Sequence, residues 1–211
     1  MEDKKVLFQE IDKHLMNDEK PSRYFYKIFN DEYFFKEYPF DMIAKLTDIS
    51  QSPKYHPEGS VWNHAMLVVD NAAQRKGSSK YPRAFMWGAL LHDIGKPPTT
   101  RVRKGKITSY DHDIVGAKMA REFLQFFNEE EKFIEVVTSL VRWHMQALFV
   151  VKDLPFADVK KMVSEVDIDE IALLTLCDRL GRGSMTKDKI SEEEENIKIF
   201  IRKCKECIAY V

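Results

Sequence analysis

Residues 90–100, "LLHDIGKPPTT", join an apolar run to a Gly-Lys-Pro-Pro sequence that cannot continue the same helix. Pro82 and Gly95 predict where this helix begins and ends. An imidazole and a carboxylate, His92 and Asp93, lie at its inner end. Because burying an isolated carboxylate costs a large free energy, we expect a compensating cation close to Asp93.

Most of the remaining chain shows the apolar periodicity of helices. Leu7, Ile11 and Leu15 predict a first helix that ends before Pro21. The last helix is predicted to open with Ser191 and Glu194 at capping-box spacing and to bury Ile197, Phe200, Ile201, Cys204 and Ile208. Further helices are predicted over residues 21–29, 40–46, 60–77, 82–95, 113–127, 131–146 and 168–181.

Residues 99–110 break this pattern, because they alternate around a Lys-Gly turn and predict a small β-hairpin. The loop "QSPKYHPEG" (51–59) separates about fifty N-terminal residues from the larger, C-terminal part of the chain. The prediction is therefore an all-α helical bundle with one β-hairpin. Residues 1–50 form an N-terminal helical annex packed on the same domain, whose main part is 51–211.

Composition limits the function classes. The chain has 211 residues and a net charge of −1, without the basic excess of a protein that binds duplex DNA. The apolar run "AFMWGALL" is too short to cross a bilayer, and the N-terminus lacks a signal core. The three cysteines show no paired scaffold spacing. We therefore expect a cytoplasmic protein that binds no membrane.

Several histidines and one further aspartate lie on or beside the apolar stripes of predicted helices, namely His64, His92, His144 and Asp178, while His112 precedes the helix at 113. A single such histidine is more often a hydrogen-bonded core residue than a ligand. Together, however, they bury two carboxylates among imidazoles with few basic residues. One divalent cation compensates both carboxylates and binds the neutral imidazoles. We therefore predict a metal site at His64, His92, Asp93 and Asp178.

His64, the doublet His92-Asp93 and Asp178 resemble the H…HD…D signature of the HD superfamily of metal-dependent phosphohydrolases. The segments "SQSPKYHPEGSVWNHAMLVVD", "ALLHDIGKPPTT", "YDHDIVGAKMAREFL" and "CDRLGRG" are similar to the HD domain of bacterial CCA-adding tRNA nucleotidyltransferases. No stretch resembles their nucleotidyltransferase head. We therefore expect a stand-alone HD domain, and CCA addition is not carried over.

The resemblance implies hydrolysis of a phosphoester by a metal-bound hydroxide, with one or two divalent ions drawn from Fe, Mn, Ni, Co, Zn or Mg. Asp93 is the implied bridging ligand and a catalytic residue. His112 and His144 are the implied ligands of a second ion, although they could equally be substrate-binding or core histidines. Lys96 is the implied catalytic residue that orients the phosphate, or else a solvated lysine at a helix end.

Other basic and polar residues near the signature are candidate phosphate ligands. Arg101 and Arg103 lie on the predicted hairpin, where charge could also serve only to protect an exposed edge. His56 and Glu58 lie in the loop that could line the pocket mouth, or form a simple turn. Arg182 comes soon after Asp178 and could hold a phosphate or pair with an acid.

Three functions are compatible with these residues. The favoured one is a phosphohydrolase, either a phosphomonoesterase or a cyclic phosphodiesterase, that acts on a nucleotide, a small phosphoester or an RNA end. The order H…HD…H…H…D also resembles the mixed-valent di-iron oxygenases of the superfamily. The third is a non-catalytic HD module that binds a nucleotide or RNA. Clustered Arg and Lys favour a phosphate-bearing ligand over dioxygen.

Overall fold

The computed structural model describes residues 2–31 and 34–209, which form a bundle of helices with one hairpin. The helices of the first half are α1 Glu2–Asn17, α2 Ser22–Asp31, α3 Asp41–Ala44, α4 Val61–Ala73, α5 Pro82–Leu91 and α6 Lys96–Thr99. Those of the second half are α7 His112–Phe126, α8 Glu131–Trp143, α9 Gln146–Val151, α10 Val159–Glu165, α11 Ile168–Leu180 and α12 Lys187–Ala209. Short 3₁₀ turns cover Phe34–Lys36, Lys45–Asp48 and Lys76–Ser78. The predicted all-α fold is confirmed.

The predicted hairpin is also confirmed. Strands β1 Thr100–Arg103 and β2 Lys106–Ser109 pair antiparallel, with Arg103 opposite Lys106. Lys104 and Gly105 both have positive φ, of 49° and 73°, as a tight two-residue hairpin turn requires. The Thr100 hydroxyl donates to the Lys96 carbonyl (2.8 Å) and so ties the hairpin to the turn after α5.

The N-terminal helices share their core with the rest of the molecule. The predicted inward residues of α1, Leu7, Ile11 and Leu15, are buried. Phe8 of α1 stacks on Trp87 of α5 and on Phe127, with ring centroids 4.6 Å and 4.3 Å away. Such stacked pairs contribute about 0.5–1.5 kcal/mol beyond their buried area. These contacts hold α1 against the helices that carry the candidate site.

Two of the wrongly predicted helix ends occur at a histidine, whereas α4 ends at Ala73 rather than residue 77, ahead of a 3₁₀ turn. α5 ends at Leu91 rather than Gly95, and α8 ends at Trp143 rather than residue 146. In each case the next residue, His92 or His144, is the C-cap and turns its Nδ1 toward the carbonyl oxygen three residues earlier. The helices therefore stop where these imidazoles need to point inward.

Other predicted boundaries shift for local reasons. α12 begins at Lys187, so Ser191 lies inside the helix and the predicted capping box is wrong. The Thr186 hydroxyl accepts from the Lys189 N–H instead (3.3 Å). Phe200 and Cys204 of α12 are buried as predicted, whereas Ile208 is 44% exposed.

The helices α8 and α9 form the apolar centre of the bundle. The stretch Glu131–Val151 has the length and composition of a membrane-spanning segment, but 56% of its most apolar window is buried inside the protein. The turn at His144 divides it into two helices. Its burial and its interruption at His144 indicate that this stretch belongs to the core of the bundle.

Glycine permits two close approaches that bring the site residues together. A Cβ at Gly95 would lie 2.1 Å from the His112 carbonyl oxygen, so only glycine allows the N-terminus of α7 to rest on the turn after Asp93. A Cβ at Gly181 would lie 2.4 Å from Val68 Cγ2. This second approach holds the end of α11 against α4, which carries His64.

Candidate metal centre

The site forms where the ends of α5 and α8 meet the beginning of α7, next to α4 and α11. Its side chains belong to residues that are all less than 9% exposed, and they are His64, His92, Asp93, His112, His144 and Asp178. The structure therefore brings together all the residues that the sequence predicted as metal ligands.

Asp93 lies at the centre of this cluster. Its carboxylate oxygens are 3.3 Å from His92 Nε2, 3.4 Å from His112 Nε2 and 3.7 Å from His144 Nε2. Lys96 Nζ lies 2.7 Å from Asp93 Oδ2. Burial raises the pKa of Asp93, but Lys96 and His92 outweigh it and hold this pKa well below its usual value. Asp93 is therefore a carboxylate, the form that binds cations.

Three imidazoles are oriented in one way by the backbone. The Nδ1 atoms of His92, His112 and His144 lie 2.8, 2.7 and 2.7 Å from a carbonyl oxygen three residues earlier. A carbonyl oxygen can only accept, so each Nδ1 carries the proton and each Nε2 of a neutral ring carries a lone pair. The accepting carbonyls belong to Ala89, Ser109 and Val141. This is the usual arrangement behind metal-binding histidines.

Two of these lone pairs face each other, because His112 Nε2 and His144 Nε2 are 3.1 Å apart. A hydrogen bond between them would need one ring to be an imidazolium. Burial lowers the pKa of His144 to about 3, with His112 and His92 adding to the effect. Burial also lowers the pKa of His112. Both rings are therefore neutral at physiological pH, and a cation between them is the partner that suits both.

His64 has a different environment. Its Nε2 lies 2.9 Å from Asp178 Oδ1, and its Nδ1 lies 2.9 Å from Glu58 Oε1. Burial lowers the pKa of His64, but hydrogen bonds with Asp178 and Glu58 outweigh it and raise this pKa to about 9. Burial also raises the pKa of Asp178, and His64 reverses this and holds it well below its usual value. In the absence of metal, His64 is therefore a cation between two carboxylates.

Glu58 connects His64 to the loop that precedes α4. It accepts from His56 Nδ1 (2.8 Å) and from the backbone N–H of Gly183 (3.0 Å). Burial raises the pKa of Glu58, and His56 and His64 more than offset that effect and lower it. Its side chain is only 4% exposed. Glu58 lies behind His64 and orients that ring.

The donor set fits a divalent cation. His92 Nε2 and Asp93 Oδ2 are buried without a hydrogen-bond partner among the described residues, since Lys96 approaches Asp93 outside hydrogen-bond geometry. Three groups hold donor atoms within 4.8 Å of one another among the described residues; two of them include Asp93, and the other one is His56, Glu58 and His64. The first group is His64, His92 and Asp93, and the second is Asp93, His112 and His144. Asp178 joins the first group through His64. Mixed imidazole and carboxylate donors suit Zn, Fe, Mn, Co or Ni.

The arginines predicted to bind phosphate form no hydrogen bond or ion pair with the clustered ligands in the described part of the chain. Arg101 and Arg103 are exposed on β1, and Arg101 donates to the carbonyl of its own neighbour Thr100 (2.8 Å). Arg182 lies beyond the end of α11, and its Nε is buried without a hydrogen-bond partner among the described residues. Their contact with a substrate phosphate stays a prediction.

The sequence gives no sign of one further residue of the site, Gln51. Its side chain is buried, and its Oε1 accepts from Lys96 Nζ (2.6 Å). The backbone of Gln51 pairs with Gly59 across the loop (2.9 Å), which places the amide beside the turn after α5. No local pattern marks such a residue, because its role depends on a contact 45 positions along the chain.

The fold and the clustered H…HD…D residues define a helical domain built around a metal-binding arrangement. Residues 60–183 match the family model described as "HD domain". The match covers more than half of the chain and includes all six clustered ligands. The chain belongs to the HD domain family.

Curated relatives carry the name "Multifunctional CCA protein". The protein from Actinobacillus pleuropneumoniae serotype 5b is 32% identical over 103 residues, which are 47% of this chain and 25% of that protein. The protein from Nitrosospira multiformis is 34% identical over 141 residues, which cover 65% of this chain and 31% of that protein. The protein from Azoarcus sp. is 27% identical over 152 residues, which cover 67% of this chain and 34% of that protein. The chain thus spans only about a quarter to a third of these relatives.

Proposed function

We propose that the protein is a metal-dependent phosphohydrolase that acts on a nucleotide or a small phosphoester. The observation that carries this proposal is the convergence of the imidazole Nε2 atoms on Asp93, with those of His112 and His144 facing each other at 3.1 Å. Neutral rings in that arrangement repel each other unless a cation lies between them. Membership of the HD domain family supports the same chemistry.

A divalent ion bound there would lower the pKa of a bound water and neutralise phosphoryl oxygens. His64, His92 and Asp178, with Asp93, would hold one ion. His112 and His144 would hold a second ion and share Asp93 with the first. The backbone carbonyls behind His92, His112 and His144 would keep their Nε2 atoms aimed at the ions.

Lys96 would bind the phosphate. Its ammonium has three donors, of which one goes to Gln51 Oε1 (2.6 Å), and its side chain is 12% exposed. In the absence of metal it compensates the charge of Asp93 from 2.7 Å. Once an ion compensates Asp93, the lysine charge becomes free to pair with a phosphoryl oxygen beside the ion.

The substrate class is narrowed by the relatives. The name of these relatives joins CCA to several functions, and the HD domain of this chain, residues 60–183, contains the H…HD…D residues. A nucleotide, a cyclic phosphodiester or the phosphate at an RNA end is therefore the proposed substrate. The addition of CCA is not proposed.

Elemental analysis of protein purified without chelator is the first test, and one or two divalent ions per chain are expected. The chelated protein is then reloaded with Mg, Mn, Co, Ni, Zn or Fe in separate samples. Each sample is assayed with p-nitrophenyl phosphate, bis-p-nitrophenyl phosphate and a nucleoside 2′,3′-cyclic phosphate. Hydrolysis with a redox-inert ion is the expected result.

Two variants show whether Lys96 binds phosphate. Lys96→Ala should raise KM about tenfold or more, because a hydrogen bond to a charged group is lost. Lys118→Ala, which removes an exposed lysine of α7, should leave KM unchanged. Turnover that requires iron and consumes dioxygen would instead establish the oxygenase. Metal binding without cleavage of any ester under any ion would establish a binding module.

A further inference from the structure

A cavity of about 110 Å³ lies between α9, the end of α11 and the beginning of α12. One water needs roughly 10–15 Å³ by this measure, so the cavity can hold a polyatomic ion or a larger group. Of the candidate metal ligands only Asp178 belongs to one of these helices, and none of the six lines the cavity among the described residues. The cavity is therefore separate from the metal centre.

Arg179 is the unusual member of this cavity. It is 8% exposed, yet no hydrogen bond or ion pair to its guanidinium is found among the described residues. A buried charge is strongly unfavourable unless opposite charges compensate it. Asp178 and Glu193 act on the Arg179 guanidinium electrostatically, but neither forms an ion pair or hydrogen bond with it in the described structure, so its donors stay open to a bound anion. Asp178, the adjacent carboxylate, is engaged by His64 at 2.9 Å.

Arg182 follows Arg179 by three positions and lies just past the end of α11. It lines the cavity as well, and its Nε is buried without a hydrogen-bond partner in the part of the chain that is described. Lys152 adds a third positive charge to the lining. Two planar guanidinium groups and one ammonium group around the same cavity suit the tetrahedral arrangement of oxygens in a phosphate.

Two acids also line the cavity and oppose the binding of an anion. Glu192 is exposed to solvent and Glu193 is partly exposed, and Glu193 accepts from Asn196 Nδ2 (3.2 Å). Neither lies within 4.0 Å of an arginine nitrogen in the described structure. Three cationic and two anionic side chains leave the lining with one excess positive charge.

The cavity also contacts the metal centre from behind. Thr175 lines it and donates its hydroxyl proton to the His144 carbonyl oxygen (3.3 Å). On α11, Arg179 is the residue directly after Asp178. A ligand in the cavity would therefore touch the helix that carries one predicted metal ligand and, through Thr175, the turn that carries another.

We infer that this cavity is a binding site for a phosphate group, held by Arg179 and Arg182 and distinct from the metal centre. The phosphate can be a free ion or part of a larger phosphomonoester. The inference does not depend on hydrolysis, because neither the arginines nor the cavity walls include a predicted metal ligand.

The test uses the full chain with Asp93→Ala and a chelator, which removes binding of phosphate through metal. Inorganic phosphate and a nucleoside 5′-monophosphate are titrated separately by calorimetry. One saturable site per chain is expected. Arg179→Met should weaken binding at least about tenfold, and Arg182→Met should weaken it in the same direction. Arg202→Met, which removes an exposed arginine of α12, is the matched control and should bind as well as the parent.

Circular dichroism checks that each variant is folded, and the partly exposed Arg182 provides a second variant if Arg179→Met does not fold. Equal affinity for both probes would identify the free ion as the ligand, and tighter binding of the nucleotide would identify a larger phosphomonoester. The inference is overturned if neither probe binds at millimolar concentration, or if both arginine variants bind as the control does. Because metal is absent throughout, failure here leaves the proposed hydrolase untouched.

Discussion

The histidines in the two halves of the candidate centre differ in their main hydrogen-bond partners. In the Asp93 half, which contains Asp93, His92, His112 and His144, backbone carbonyls fix each ring through Nδ1. In the His64 half, which contains His64, His56, Glu58 and Asp178, carboxylates contact both nitrogens of His64 at 2.9 Å, and the Gly181 carbonyl oxygen is a more distant partner of its Nδ1 at 3.3 Å. Burial is nearly complete for His144 and His64 alike, at 2% and 1% exposure. Their pKa values nevertheless move apart, to about 3 and about 9.

The difference shows that the partners of a buried imidazole, rather than its burial, decide its charge. A carbonyl oxygen leaves a neutral ring with a free lone pair, which is ready to bind metal. Two carboxylates stabilise an imidazolium, which must lose a proton before it can bind metal. The histidines of the Asp93 half can therefore bind a metal ion directly, whereas His64 must release a proton when it binds one.

Asp93 belongs to both candidate ion sites, so its removal should have the largest effect. Asp93→Ala should weaken metal binding by more than about 100-fold, which exceeds the loss that removal of an outer partner causes. Elemental analysis after dialysis measures the loss, with Asp188→Ala on the exposed face of α12 as control. Stoichiometric metal in Asp93→Ala would contradict a shared ligand.

His144 belongs only to the second candidate ion site, so its removal should affect the second ion and leave the first ion bound. His144→Gln should reduce the metal content from two ions per chain to one, because His112 and Asp93 alone bind the second ion weakly. His64 and His92 should retain the first ion. Calorimetric stoichiometry checks this. A parent protein that binds only one ion and does so equally well after His144→Gln would refute the binuclear centre.

Glu58 orients His64 without belonging to the predicted ligand set. Glu58→Gln should lower the affinity for the first ion roughly 10–100-fold, which is the usual effect of removing a carboxylate that orients a metal-binding histidine. Glu122→Gln, on the exposed face of α7, is the matched control. The second ion should bind as before, since Glu58 lies in the other half. Equal losses of both ions would show that the halves do not act separately.

The pH dependence of metal affinity is set by His64. Its folded pKa of about 9 lies above the ordinary 6.5, so the ring is protonated at pH 7 and metal must displace the proton. Affinity for the first ion should rise about tenfold per pH unit up to about pH 9 and then level off. About one proton should be released per ion, as calorimetry in buffers of different ionisation enthalpy measures. A flat affinity across this range would mean that His64 is already neutral.

The hairpin should have the smallest effect. Arg101 and Arg103 are exposed, and exposed charge pairs contribute about 0–1 kcal/mol. Arg101→Ala and Arg103→Ala should each raise KM for a phosphoester by no more than about fivefold. Comparison with Lys96→Ala in the same assay checks this ranking. A larger effect from either arginine would place the substrate phosphate at the hairpin.

The sequence could predict most of the fold and the clustering of the candidate ligands, because their signals are local or chemical. Helical periodicity and the Lys-Gly turn are local, and buried carboxylates among imidazoles require a cation wherever they meet. The ends of α5 and α8 could not be predicted. They depend on the inward turns of His92 and His144, which are stabilised only once the cluster is assembled.

Long-range contacts account for the other differences. Glu58 lies in a predicted loop, and its contact with the Gly183 N–H spans 125 positions of the chain. Arg179 is one of several charges near Asp178 in the sequence, and the cavity that it lines needs α9 and α12 as walls. Neither position carries a local pattern that reveals its environment.

Anomalous diffraction from crystals loaded with manganese or zinc tests the central claim most directly. We predict two peaks about 3.5–4 Å apart that share Asp93. One lies within about 2.0–2.2 Å of His Nε2 atoms of the first group, and the other within that distance of His112 and His144 Nε2. A single peak between His56, Glu58 and His64, with none at Asp93, would contradict the account.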